Sequence, residues 1–150
     1  MKAYFYISQP LVPVDSASLE RLVASAEVKN AAYGITGFLC FKDVFIQYFE
    51  GEAKEVDALF ATIKADARHK ILNCLVFDNI DCRQFPNWRM KLISRDVLNH
   101  DRVEPFLFNQ LARAKDRTSH LDKWRKQVWL AVQYIAAQSA HEVAFVETEK

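Results

Sequence analysis

Apolar and polar residues alternate from the start of the chain. Ala3, Phe5 and Ile7 fall on one face of an extended segment, and Tyr4, Tyr6 and Ser8 on the other, which predicts a strand over residues 2–8. Pro10 and Pro13 break it, because proline cannot donate to a sheet ladder. The period then changes from two to that of a helix. Leu19, Leu22, Val23 and Ala26 stand at i, i+3, i+4 and i+7, and Asp15 or Ser16 can cap the first turn. Residues 35–41 and 44–50 read as two strands joined at Lys42-Asp43, a hairpin without the favoured Asn-Gly or Asp-Gly turn. Gly51 ends the second strand. A helix follows from near Glu52 to about Ala67, with Val56, Leu59, Phe60 and Ile63 as its stripe. Residues 71–79 read as a strand, Pro86 marks a turn, and residues 88–93 hold a short strand.

This order, β-α-β-β-α-β plus a fifth strand, predicts an α+β fold of the ferredoxin-like, split βαβ kind. Its two helices lie on one face of the sheet with a groove between them. The last third is different. Residues 101–117 are mixed, with Phe106, Phe108 and Leu111 able to form a short amphipathic helix. Residues 119–138 predict a longer helix with Trp124, Val128, Ala131, Val132 and Ile135 on one side. The expected organisation is a sheet domain over residues 1–95 and a helical extension over 96–150. The extension's stripe would cover the free sheet face or form a dimer surface, and covering is preferred because a bare apolar face is a liability. Residues 147–150 are expected to fray.

Composition narrows the function. Of 150 residues, 51% are hydrophobic and 26% charged, as in a globular domain. Glycine is scarce: three are present, where a usage of roughly 7% would give about ten. All three lie between positions 34 and 51, and neither GxGxxG nor GxxxxGK[ST] occurs, which excludes the glycine-rich phosphate cradles. A net charge of +1 gives no electrostatic reason to expect nucleic acid or an anionic membrane as partner. Three cysteines without a CxxC point to buried or bystander thiols in a reducing compartment. The apolar start is too short for a signal peptide, and the longest stretch free of charge, residues 127–141, is shorter than the ~20 residues of a membrane span. A soluble, cytoplasmic protein is the expectation.

Several residues could carry chemistry. Gln47 is an uncharged amide among aromatics in a strand. A buried amide must find partners, so it either satisfies a neighbouring backbone or reads a ligand that both donates and accepts. Tyr6 reads as a core tyrosine with its hydroxyl tied to a neighbour. Asn30 stands where a helix stops, and Asp66, Arg68 and His69 close the second helix, where cations suit the helix dipole. Trp88 and Met90 share a face and read as ordinary core. No nucleophile elbow or HExxH is present, and His69, His100, His120 and His141 form no i, i+4 metal pair.

Three blocks change this picture in combination. Asn30-Ala31-Ala32-Tyr33-Gly34-Ile35-Thr36-Gly37 reads N-x3-GITG. Phe45 to Gly51 reads F-x-Q-x-x-E-G, and Arg83 to Met90 reads R-x-F-x-x-W-x-M, with Asp66-x-Arg68-His69 between them. In this order and spacing they resemble the BLUF family, blue-light sensors that hold a flavin, over roughly residues 2–95. The length resembles that of the short, stand-alone bacterial members. The resemblance implies a ferredoxin-like domain with the isoalloxazine between the two helices and FAD as cofactor, FMN being the alternative. It implies that Tyr6 is the photoactive tyrosine and that Gln47 bridges it to flavin N5 and C4=O. Asn30 would bond the polar edge of the ring, and Asp66, Arg68 and His69 would line the site. Ser8, Ile35 and Lys29 are further expected flavin contacts, although Lys29 stands where relatives often carry Asn or His and reads equally as a solvated cation. Trp88 and Met90 match a strand-5 pair whose placement beside Gln47 is debated. The hairpin loop at Lys42-Asp43 is about one residue shorter than in some members.

The implied function is a sensor rather than an enzyme. Blue light drives loss of an electron and a proton from Tyr6, rearrangement of Gln47 by rotation or tautomerisation, and a small reversible red shift. No cyclase, phosphodiesterase or DNA-binding domain fits in 150 residues, so a downstream signalling protein and a homo-oligomer are the expected partners, without direct nucleic acid or membrane. The alternatives are a flavin-dependent oxidoreductase, an acyl-phosphate hydrolase, which would need an anion-cradling loop, and a light-insensitive interaction module.

Overall fold

In the computed structural model, which describes residues 1–94 and 121–148, five strands form one sheet. They are β1 (Lys2–Pro10), β2 (Thr36–Lys42), β3 (Val44–Gly51), β4 (His69–Phe77) and β5 (Arg89–Leu92). Their order is β4-β1-β3-β2-β5. β1 runs antiparallel to both β3 and β4, β2 runs antiparallel to β3, and β5 is parallel to β2. Helices α1 (Ser16–Ala32) and α2 (Ala53–Ala65) pack on one face. The expected ferredoxin-like α+β sheet is therefore present, with a fifth strand added at the β2 edge.

Local chemistry explains most boundaries. Asp15 caps α1 by accepting from the Ser18 amide at 2.7 Å, while the Ser18 hydroxyl accepts from the Asp15 amide at 3.0 Å, a reciprocal box that satisfies two end groups. The tight β2–β3 connection places Asp43 at φ +62, a left-handed conformation that a short polar side chain tolerates. β1 extends through Pro10 instead of ending before it, because Pro10 takes the last position of the strand, opposite His69. β4 correspondingly starts two residues earlier than expected.

Alternation in β1 holds. Tyr4 and Tyr6 join Leu39, Phe49, Val56 and Met90 beneath the helices, where Leu19, Val23 and Ala26 of α1 and Leu59, Phe60 and Ile63 of α2 meet them. Ala3, Phe5 and Ile7 lie buried on the opposite face with Phe38, Ile46 and Tyr48. Leu22 departs from its stripe. It is 38% exposed, since the arc of α1 it occupies borders a cavity rather than the packed sheet.

The chain divides into two compact units, Met1–Ser94 and Arg95–Lys150. In the second, α3 (Leu121–Thr148) buries Trp124, Val128, Ala131, Val132 and Ile135, the stripe read from its spacing. It continues ten residues past the expected end at 138, so residues 147 and 148 are helical rather than frayed. The short helix expected within 101–117 lies outside the described residues. Among the described residues no helix is long and apolar enough to cross a membrane.

Two glycines have different reasons to be glycine. Gly34 takes φ +64, and a notional Cβ there would make only an ordinary contact, with Arg83 Nη2 at 3.7 Å. A Cβ on Gly37 would lie 2.0 Å from the carbonyl oxygen of Tyr48, on the strand that carries Gln47. Gly34→Ala is expected to cost about 1–2 kcal/mol, the left-handed penalty alone. Gly37→Ala should cost more, on the order of 3 kcal/mol or above, because β2 and β3 must separate. Chemical denaturation of both variants checks this; equal costs would contradict the close approach.

Candidate functional site

Between α1 and α2 the sheet floors a cavity of about 590 Å³. That is within the range of about 300–1,000 Å³ typical of small-molecule sites. Tyr6, Leu39, Gln47 and Met90 form its floor, Leu19, Leu22, Ala26 and Asn30 one wall, and Leu59 and Ile63 the other. The sheet register brings the floor together. Tyr6 of β1 stands opposite Gln47 of β3, and Gln47 stands opposite Leu39 of β2.

The Tyr6 hydroxyl donates to Gln47 Oε1, and Gln47 Nε2 donates to Met90 Sδ at 3.3 Å. All three side chains are buried. Burial pushes the Tyr6 phenol far above its ordinary range, and the negative charge of Asp66 adds to this, so Tyr6 is a neutral hydrogen-bond donor at any physiological pH. The Gln47 amide carries two N–H hydrogens, and a thioether is a weak acceptor. The amide therefore keeps donor capacity at the cavity floor, which suits a ligand with ring nitrogen and carbonyl acceptors.

Asn30 is buried at the end of α1. Its side-chain Nδ2 donates to the Arg89 carbonyl at 3.4 Å, and its backbone carbonyl accepts from the Ile35 amide at 2.9 Å, which ties the helix end to the entry of β2. Lys29 is exposed beside it and lines the cavity, as does Arg21 one face along α1. At the far end, Arg68 grips the Asp66 carboxylate, with Nη2 to Oδ2 at 2.6 Å and Nε to Oδ1 at 3.0 Å. Arg68 thereby holds the Asp66 carboxyl down at about 2. His69 Nε2 lies 2.6 Å from the Ile63 carbonyl, and its ring meets Tyr6 edge-on at 6.3 Å.

Trp88 and Met90 do not share a face. Between β2 and β5 the register steps from Gly37↔Arg89 to Phe38↔Lys91, so Met90 is an extra residue in a bulge, at φ +132. Strict alternation is lost there. Met90 points to Gln47, while Trp88 stacks on Phe85 at 5.2 Å, and Phe85 packs against Phe38 and Tyr48 of the opposite face. Ser8 and Ile35 are buried but stand outside the cavity lining. The Ser8 hydroxyl has no hydrogen-bond partner among the described residues.

Sequence reasoning passed over Glu50, although a carboxylate in an otherwise uncharged strand was a visible signal. It is fully buried and accepts from the Phe85 amide at 2.7 Å, the Tyr48 hydroxyl at 2.8 Å, the Gln84 amide at 2.9 Å and the Thr36 hydroxyl at 3.3 Å. Arg83 braces the same junction, donating to the Thr36 hydroxyl at 3.0 Å and the Gly34 carbonyl at 2.6 Å. A buried carboxylate is tolerated when donors surround it in this way. The result fastens the segment leading to β5 onto the strand that carries Gln47.

Comparison with known proteins bears on the family and the fold. The BLUF family, described as sensors of blue-light using FAD, matches residues 1–91. The photoactivated adenylate cyclase subunit beta of Euglena gracilis is 30% identical over 155 residues, covering 99% of this chain and 18% of that protein. The chain thus spans less than a fifth of that relative's length. The dark-state structure of BlrB, a BLUF protein, matches with a TM-score of 0.68 and 29% identity over 91% of this chain and 96% of that one. BlrP1 of Klebsiella pneumoniae, solved with FMN and cyclic diGMP, matches with a TM-score of 0.57 and 29% identity, covering 71% of this chain and 29% of that one.

The Asp66–Arg68 pair sets a pH dependence. A carboxyl whose folded value lies below its unfolded value of about 3.9 stabilises the fold above that value and loses the contribution as pH falls toward 2. Arg68 is exposed and Asp66 only half-buried, so solvent screens the pair and the effect on stability is small. A carbon-detected NMR titration should give an Asp66 midpoint near 2. In Arg68→Ala it should return toward the ordinary carboxylate value; an ordinary midpoint in the unaltered protein would contradict the pairing.

Proposed function

The chain belongs to the BLUF family, sensors of blue light that use FAD, and from that premise we propose that its cavity holds the flavin without a covalent bond, with Tyr6 as electron donor and Gln47 as the switch. The observation that carries this reading is the buried hydrogen bond from Tyr6 to a two-ended amide at the cavity floor. A bound flavin excited by blue light supplies a strong one-electron oxidant. Tyr6, neutral and buried, can release an electron together with its proton, which already points at Gln47 Oε1. Gln47 then exchanges the roles of its two ends, by rotation or tautomerisation. Met90 Sδ, its other partner, is a weak acceptor and holds the starting orientation only lightly.

Asn30 would take the polar edge of the ring, with Asp66, Arg68 and His69 closing the cavity opposite. Arg21, Lys29 and Arg68 on its walls offer cations to the phosphate that FAD and FMN share. FAD is the assignment preferred here, on the family's description, and the FMN in BlrP1 is the reason both belong in the binding assay. Ile35 packs in the apolar cluster with Tyr6, Leu39 and Met90, and Ser8 is buried outside the lining. In this reading the chain turns over no substrate and passes its state to a partner protein by contact, with a homo-oligomer as the working form. The much longer cyclase subunit in which a matching stretch occurs supports an effector as receiver. Thiols at Cys40, Cys74 and Cys82 support a reducing, cytoplasmic setting.

Protein purified from a flavin-replete host should be yellow and show a small, reversible red shift under blue light. Tyr6→Phe leaves Gln47 Oε1 without its donor, at a cost of about 1–3 kcal/mol, and should bind flavin but lose the shift. Gln47→Leu should also stay yellow and become insensitive to light. Absorption spectra before and after illumination check both. A normal photocycle in Tyr6→Phe overturns the role of Tyr6, and a chain that takes up neither FAD nor FMN overturns the site.

A further inference from the structure

We propose that Tyr4 is a second redox-active phenol, one that draws oxidation away from Tyr6 onto a phenol–carboxylate pair with Asp57; the proposal rests on the reading of Tyr6 as the photo-oxidised residue. Tyr4 and Tyr6 are two positions apart on β1 and point to the same face. Two aromatic rings bridge them. Phe60 stacks on Tyr4 at 4.4 Å between centroids and lies 6.1 Å from Tyr6, and Phe49 lies 5.4 Å from Tyr4 and 6.4 Å from Tyr6. The two phenols thus share one largely buried aromatic cluster.

Their hydrogen-bond partners differ in a way that gives the transfer a direction. Tyr6 donates to an amide, which is too weak a base to keep a proton. Tyr4 donates to the Asp57 carboxylate at 2.5 Å. Lys2, 2.7 Å from the same oxygen, and the Tyr4 hydrogen bond hold the Asp57 carboxyl below its usual range, so it is ionised and ready to accept. Burial and the Asp57 contact push the Tyr4 phenol up, so it keeps its proton until the ring is oxidised. An oxidised phenol is a strong acid, and Asp57 is placed to take that proton.

The step balances. Tyr6 gives up one electron to the oxidant that a flavin excited by blue light would supply. One electron then passes from Tyr4 to Tyr6, the Tyr6 proton returns along its hydrogen bond from Gln47, and Tyr6 is restored. The Tyr4 phenolic proton crosses to Asp57. The products on the chain are reduced Tyr6, a neutral tyrosyl radical at Tyr4 and a neutral carboxylic acid at Asp57. Lys2 then keeps a carboxylate neighbour in Asp78, at 3.7 Å. Tyr48 also donates to a carboxylate, Glu50, but it faces away from the cavity, and Glu50 is engaged by three further donors. Tyr48→Phe is therefore the control.

The test uses the flavin-loaded protein frozen under blue light, with tyrosyl radicals read by electron paramagnetic resonance and the Asp57 proton by infrared difference spectroscopy. A persistent tyrosyl signal and a new protonated-carboxyl band are expected. Both should be lost in Tyr4→Phe, in Asp57→Asn and in Tyr6→Phe, and kept in Tyr48→Phe. With this branch closed, Tyr4→Phe should also reach its red-shifted state in higher yield. A readout that needs no flavin is the NMR titration of Asp57, whose midpoint should rise in Tyr4→Phe. A red shift with a radical unaffected by Tyr4→Phe, or with no tyrosyl radical, overturns the proposal while leaving Tyr6 as donor. An unmoved Asp57 titration overturns it as well. Loss of the red shift from the unaltered protein would instead overturn the underlying reading of Tyr6.

Discussion

Tyr6 and Gln47 meet because β1 and β3 pair in one register, and a slip of a single residue would turn both side chains to the opposite face. The rest of the domain protects that register. Phe5 and Tyr48, their neighbours on the two strands, are fully buried on the far side, so each strand is anchored by one face while the other serves the cavity. Burial then does chemical work. It keeps the Tyr6 phenol protonated and makes its hydrogen bond to Gln47 the main polar link in an otherwise apolar floor.

The edge of the sheet is organised from the opposite side. Glu50 collects donors from β2, β3 and the segment before β5, so the position of Met90 beside Gln47 depends on a carboxylate that never touches the cavity. The bulge at Met90 sets a residue at positive φ directly against the Gln47 amide. Backbone in such sparsely populated regions persists only where its surroundings hold it, and here the Glu50 cluster and the Gly37 amide, bonded to the Trp88 carbonyl at 2.7 Å, hold it. A rearranged Gln47 would therefore be felt first at β5.

What the sequence made legible was local. Alternation in residues 2–8 placed Tyr6 correctly, the Asp15 cap and the Leu19, Val23 and Ala26 stripe placed α1, and the stripe from Trp124 to Ile135 placed the buried face of α3. What it hid was long-range. The spacing of Trp88 and Met90 says they share a face, and only the register step against Gly37 and Phe38 separates them. The partners of Glu50 lie 14 to 35 positions away along the chain for all but Tyr48, beyond the reach of any periodicity. Leu22 fits its stripe in sequence, yet borders a cavity that no pattern of apolar residues announces.

The central claim is that the Tyr6–Gln47 hydrogen bond is the element that light rearranges. The most direct measurement is light-minus-dark infrared difference spectroscopy of the flavin-loaded protein, with the glutamine side-chain amide and the tyrosine ring isotopically labelled in turn. The expected result is that both labels shift bands in the difference spectrum, and that these bands vanish in Tyr6→Phe. A red shift whose difference bands respond to neither label would contradict it.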